Sequence, residues 1–227
     1  KGNEWQTWAM NSTLPAFVAD KFKKSNIVVF SSGNIYPIVP INGGGCDENC
    51  RPLPNGEYAM SCLARERAFE YAANTFGTNV FIYRLNFAID LRYGVLFDLA
   101  DKILKGEAIS LATPVFNFIW QGSANEMAIR GLLHASSPAT VMNITGPETV
   151  SVKKAAIELG GYLGKEPIFE NECGSDAYLN DASLATEVFG YPSVSAKTLI
   201  RWQAQWLLDG GRTLNKPTHF EERKGNY

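Results

Sequence analysis

The chain has 227 residues, enough for one substantial core or for a main domain with a smaller lobe. With 45% apolar residues, 19% charged residues and a formal net charge of −2, it lacks the basic footprint expected of a nucleic-acid binder. Its apolar runs are too short to span a membrane and no signal peptide is visible. Its four cysteines make no disulfide framework at this length, so a reducing cytoplasm is the expected setting.

Trp5 to Lys24 reads as a helix, because Trp8, Leu14, Phe17, Val18 and Phe22 recur on one face. Pro15 falls inside it and should kink it, since proline cannot donate the interior hydrogen bond. The basic cluster Lys21-Phe22-Lys23-Lys24 suits the solvated end of that helix, where cations complement the dipole. The apolar run Ile27–Phe30 then ends in Ser31, Ser32 and Gly33, the pattern of a buried parallel strand. Ligands collect at the C-terminal ends of such strands.

Residues 37–55 carry five prolines or glycine runs and form a loop of about 19 residues, long enough to suggest a functional role. Within it Cys46 and Cys50 have C-x3-C spacing. A structural zinc would need two more soft ligands nearby, and His134 and His219 offer no paired spacing. Two free thiols are expected, with a local disulfide as the alternative. The helix Gly56–Phe76 follows, with Phe69, Ala72, Ala73 and Phe76 as its stripe and Gly77 as its stop. It places Tyr58 and Cys62 four residues apart on one face. A strand-end hydroxyl facing a tyrosine on the next helix makes a plausible proton-transfer pair.

Asn79–Leu85 is a second buried strand and Phe97–Leu104 a helix stopped at Lys105-Gly106. Short strands are predicted at Ala108–Leu111 and Val115–Trp120, a helix at Ser123–Ala135 and a strand at Thr140–Ile144. Ser151–Leu163 is helical, Pro167–Phe169 a short strand, and Asp181–Phe189 and Ser195–Leu208 are helices. The tail from Arg212 is polar, lacks periodicity and is predicted to be irregular or disordered. The alternation predicts an α/β fold: a Rossmann-like, mainly parallel sheet with a smaller, mostly helical substrate lobe. The expected division is a core at 1–88 plus 115–145 and a lobe at 89–114 plus 146–227.

These residues resemble the extended short-chain dehydrogenase/reductases, the NAD-dependent epimerase/dehydratase group. FSSGNIY is similar to that family's strand-end motif, EYAMSCLARE to its Y-x-x-x-K helix, and WAMNSTLP to the asparagine-bearing helix before them. VMNITGPETVSV and LNDASLATEVFGYP resemble its returning strand and closing helix, so the likeness runs through nearly the whole chain. It implies Ser32 and Tyr58 as catalytic residues, with Ser31, Tyr58, Asn11 and position 62 on the cofactor. It implies Ser32, Gly33, Asn86 and Arg92 on the substrate, NAD or NADP as cofactor, and a nucleotide sugar or related polyol as substrate. It also implies a homodimer packed through two long helices of each copy.

Three departures qualify that picture. The lysine of Y-x-x-x-K is Cys62, which cannot supply the cation that makes a tyrosine a useful base, although Arg65 lies on nearly the same face. No G-x-x-G-x-x-G occurs, so the pyrophosphate-binding half is expected to precede Lys1. R-x-x-N is one residue short, as Arg84-Leu85-Asn86. The residues therefore leave two functions open: an NAD(P)-dependent epimerase, dehydratase or reductase, or a cofactor-binding relative without turnover. A subunit that only dimerises is a third.

Overall fold

The computed structural model describes residues 2–226. Its elements run α1 (Glu4–Trp8), a π-helical turn (Ala9–Thr13), α2 (Leu14–Lys21), β1 (Asn26–Ser32), β2 (Val39–Pro40), α3 (Gly56–Phe76), β3 (Asn79–Leu85) and β4 (Ala88–Ile89). They continue with α4 (Val95–Lys105), β5 (Ala108–Ser110), β6 (Val115–Phe116), β7 (Ile119–Trp120), α5 (Gln121–Gly131) and β8 (Thr140–Ile144). The last are β9 (Val150–Ser151), α6 (Val152–Leu163), β10 (Ile168–Glu170), β11 (Asp176–Ala177), α7 (Ser183–Phe189) and α8 (Ala196–Leu208).

The main sheet is parallel, in the order β1-β3-β8. Central β3 is buried on both faces, as its unbroken run of branched and aromatic residues requires. Val80 and Ile82 point into a cluster with Ala19, Phe69, Ala72 and Ala73, so α2 and α3 cover one face. Phe81 and Tyr83 point into a cluster with Ala124, Met127, Ala185 and Phe189, so α5 and α7 cover the other. The alternation of a strand's side chains thus produces a three-layer α/β/α sandwich. No helix among the described residues is long and apolar enough to cross a membrane.

A second core lies beside the sheet. Leu96, Leu99, Ala100 and Ile103 of α4 pack with Ala155, Ala156 and Leu159 of α6 and with Leu199, Ile200 and Ala204 of α8. Phe116 and Phe118 also belong to this core, although the sequence groups them with the sheet. Ala185 and Phe189, which it groups with the lobe, pack on the sheet instead. A boundary drawn along the chain is therefore crossed in both directions by packing.

Three local expectations change. The stretch Val115–Trp120 is two short strands, because β6 pairs with β9 and β7 with β4. The N-terminal helix is interrupted by the π turn, where the Leu14 N–H bonds the Ala9 carbonyl just before Pro15. The tail is irregular yet ordered. Phe220 is buried against Phe116, and Glu221 pairs with Lys102 at 2.8 Å. Arg223 pairs with Asp176, and Asn55 donates to the Arg223 carbonyl at 3.2 Å.

Thr218 anchors this strap: its N–H and its Oγ1 both donate to Asp98 Oδ2, at 2.8 and 2.5 Å. Thr218→Val should lose the hydroxyl bond to a charged acceptor and cost about 1.5 kcal/mol. Urea unfolding of the two proteins measures that difference. A midpoint equal to the parent's would show that the hydroxyl bond to Asp98 adds nothing to the hold of the strap.

Candidate active site

The parallel register aligns Ser31 with Arg84 and Arg84 with Asn143 across the three strands. Glu66, on the sheet-facing side of α3, meets this row from above. Ser31 Oγ donates to Glu66 Oε1 at 2.5 Å, while Arg84 forks onto the same carboxylate through Nε at 3.0 Å and Nη2 at 2.8 Å. Arg84 Nη1 donates to the Tyr36 hydroxyl at 2.6 Å, and that hydroxyl donates to Asn143 Oδ1 at 2.9 Å. The whole chain of groups is buried. Burial alone would lower the Arg84 pKa, but Glu66 and Tyr36 outweigh it and hold the guanidinium above its ordinary value. Burial pushes the Tyr36 hydroxyl up to about 12.

One residue further along β1, Ser32 reaches the end of the sheet. Its Oγ accepts from the Asn34 N–H at 3.2 Å and so starts the short 3-10 turn Gly33–Ile35. Glycine at position 33 allows a close approach here, because a Cβ would lie 2.8 Å from Asn180 Oδ1 and 3.0 Å from Asn86 Cβ and would force those side chains to shift. Tyr58, in the first turn of α3, is hydrogen-bonded to both Ser32 and Cys62. The residue as a whole is 37% exposed, whereas its hydroxyl end is enclosed. Burial and then the neighbouring Cys62 push it up to about 12, with the Ser32 bond and Arg65 acting the other way. Cys62 is buried and its thiol is likewise raised, chiefly by burial.

Ser31, Ser32, Tyr58 and Asn86 open onto one cleft of about 400 Å³, within the usual size range of small-molecule sites. Asn34, Tyr93 and Thr218 add polar atoms to its wall, and Leu85, Phe87 and Val95 add apolar ones. Asn86 is held from behind, donating to Asn117 Oδ1 at 2.8 Å, and Asn117 in turn donates to the Asn180 carbonyl at 2.6 Å. Glycine at position 94, with φ 136°, starts α4 at the cleft edge, so its free N–H groups open there.

Not every candidate converges. Arg92 is closed onto Asp90 through Nε at 3.0 Å and Nη2 at 2.5 Å and does not line the cleft. Asn11 sits on the π turn behind α3, where its Nδ2 donates to Ser61 Oγ at 3.0 Å. Ser61 Oγ donates to the Tyr58 carbonyl at 2.8 Å, so Asn11 steadies the helical turn that carries Tyr58. Cys46 and Cys50 are free, with Sγ atoms 2.9 Å apart. Burial and the adjacent thiol push Cys46 up to about 12. No group of three metal-binding side chains occurs among the described residues.

Sequence reasoning missed Thr218 and the α4 N-terminus. Gly94 before an apolar helix was the available signal for the last; Thr218 had none, because its partner Asp98 is 120 residues away.

No protein-family model matches the chain, and no curated protein matches it. Solved structures do. UDP-glucuronic acid 4-epimerase from Bacillus cereus in complex with NAD superposes with a TM-score of 0.74 at 16% identity, over 92% of this chain and 71% of that one. MoeE5 in complex with UDP-glucose and NAD gives 0.68 at 20% identity, over 88% and 71%. The Bordetella bronchiseptica enzyme WbmH in complex with NAD+ gives 0.70 at 17% identity, over 89% and 68%. The chain has the Rossmann-like fold of these proteins and spans roughly seven-tenths of their length.

Proposed function

We propose that the chain is the catalytic part of an NAD-dependent epimerase or dehydratase acting on a nucleotide sugar. The observation that carries this reading is the joining of Ser32, Tyr58 and Asn86 at one strand-end cleft, in the fold of proteins solved with NAD and UDP-glucose. The hydroxyl-rich wall fits a sugar ring, and the α4 N-terminus suits the diphosphate of a nucleotide sugar.

The fit to a dinucleotide is partial. Ser31, Tyr58 and the neighbourhood of position 62 would hold its nicotinamide end, but no glycine-rich turn for its diphosphate occurs in the sequence. That turn would have to come from outside these 227 residues, as would the choice between NAD and NADP. When bound, the nicotinamide would supply or accept hydride. Ser32 would orient the reacting substrate oxygen, and Tyr58 would give up or take its proton.

A second reading follows from Cys62 and from a Tyr58 hydroxyl pushed up to about 12. It is a ligand-binding relative with little turnover, in which the same cleft binds without chemistry. Pairing of two copies through α1, α2 and α3 accords with the outward Trp5, 71% exposed, and Phe17, 69% exposed.

Titration of the full-length protein with NAD and NADP, followed by a panel of nucleotide sugars, tests both readings. Saturable NAD binding with a converted sugar supports the enzyme. Binding without conversion supports the second reading, and binding of neither nucleotide would sink both.

A further inference from the structure

We infer that Arg65 is the positioning cation of this site, taking through space the place that residue 62 cannot fill. The inference deepens the reading of Tyr58 as a proton-transfer group and rests on it. Proline at position 15 has no N–H and cannot close the helical bond to the Asn11 carbonyl four residues back. The helix loosens there into the π turn. Arg65 enters the gap: its Nε donates to the Asn11 carbonyl at 3.1 Å and its Nη2 to Asn11 Oδ1. Its Nη1 donates to the Phe30 carbonyl, one residue before the cleft serines.

One guanidinium therefore ties the π turn, the end of β1 and α3 together, two helical turns beyond Tyr58. These bonds use three of the five N–H donors of an arginine, one from each nitrogen, which fixes the plane of the guanidinium. The side chain is half-buried and does not line the cleft, so it acts on Tyr58 through the elements it joins and through its field.

The charged and titratable groups around Tyr58 come from several elements. Cys62, Glu57, Arg65 and Glu66 share its helix, Glu4 lies on α1, Tyr93 stands across the cleft, and Lys224 comes from the C-terminal strap. Glu57 is already engaged by the Trp8 indole at 2.5 Å. Arg65 is the cation whose field favours ionised Tyr58, and it does the same for Cys62. A fixed cation that acts on both groups opposes part of the upward push of burial, in the direction in which a lysine one turn away would act.

A ring-fluorinated tyrosine installed at position 58 of the full chain brings the phenol into a pH range where the fold survives, and its fluorine resonance reports ionisation directly. Arg65→Met should raise the midpoint by about one unit, a tenfold loss of phenolate at a given pH. Arg65→Lys should restore most of that shift. Asn11→Asp, which sets a negative charge against the guanidinium, should raise the midpoint in a second, independent way. Lys224→Ala should leave it where it was.

If Arg65→Met does not fold, Arg65→Gln, which keeps a donor for Asn11, makes the same comparison. A midpoint unmoved in the neutral variant and in Asn11→Asp would overturn the inference, as would a shift in Lys224→Ala alone. The titration needs neither cofactor nor sugar. An unmoved midpoint in a protein that binds NAD would refute the role of Arg65 alone. A shifted midpoint in a protein that binds no nucleotide would leave that role standing and refute the enzyme.

Discussion

Tyr58→Phe should lower sugar turnover by about 10²–10⁴-fold while leaving NAD binding within a few-fold of the parent, because positioned proton transfer is worth that much. The substitution removes one oxygen from a cleft-lining residue that is 37% exposed, so the fold should tolerate it. The hydroxyl is pushed up to about 12, first by burial. At neutral pH it is therefore almost wholly protonated, and a step that needs the phenolate should speed up about tenfold per pH unit as pH rises. Any stability tied to this shift is present below about pH 10 and lost as pH climbs toward 12.

Cys62→Lys is the opposite intervention. A cation within about 4–6 Å favours the phenolate by roughly 1–3 units, so turnover at pH 7 should rise at least tenfold and its pH midpoint should fall. The new side chain must enter a pocket where Cys62 packs with Ile35, Tyr36 and Cys46, so the gain will be accompanied by lower stability. Initial rates across pH for the three proteins check both claims. Equal rates for the parent and Tyr58→Phe would remove Tyr58 from the chemistry. A folded Cys62→Lys variant with no turnover would favour the binding-protein reading.

How much of this was legible depended on the range of the interactions. The bounds of α3 and β3 could be read almost to the residue, because local patterns set them: an apolar stripe ending in Gly77 at φ 71°, then a seven-residue strand centred on Val80, Phe81, Ile82 and Tyr83. The meeting of Ser32 and Tyr58 was also legible, since a strand end and the next helix of a parallel unit must adjoin. The π turn was only half-visible. Pro15 announces a lost bond, but the group that replaces it comes from Arg65, 54 residues beyond the Asn11 carbonyl that accepts it.

The strap was invisible for the same reason. Nothing periodic in residues 212–226 shows that Thr218 and Glu221 find Asp98 and Lys102 about 120 residues earlier. Arg92 was misplaced because Asp90, two residues back, captures its guanidinium locally. Short-range polar capture is cheap and competes with any longer reach.

The largest stability effect should come from beneath the cleft. Arg84→Met would leave the Glu66 carboxylate, which is 0% exposed, with Ser31 as its remaining side-chain partner, and should cost about 3–5 kcal/mol. Tyr36 would lose its 2.6 Å donor in the same step. Glu66→Leu alone should cost a similar amount, since it strands the guanidinium instead. The double variant Glu66→Leu/Arg84→Met removes both charges and should recover much of the loss, because a buried pair stabilises little beyond an apolar pair of similar volume. Urea unfolding of the four proteins forms a closed cycle, and a coupling of at least 2 kcal/mol in magnitude is expected. Additive losses would mean that the two groups are not one unit. Because Ser31 hangs from the same carboxylate, the double variant should also loosen that edge of the cleft. Turnover should therefore stay low in the double variant even where stability returns, separating the network's part in holding the fold from its part in shaping the site.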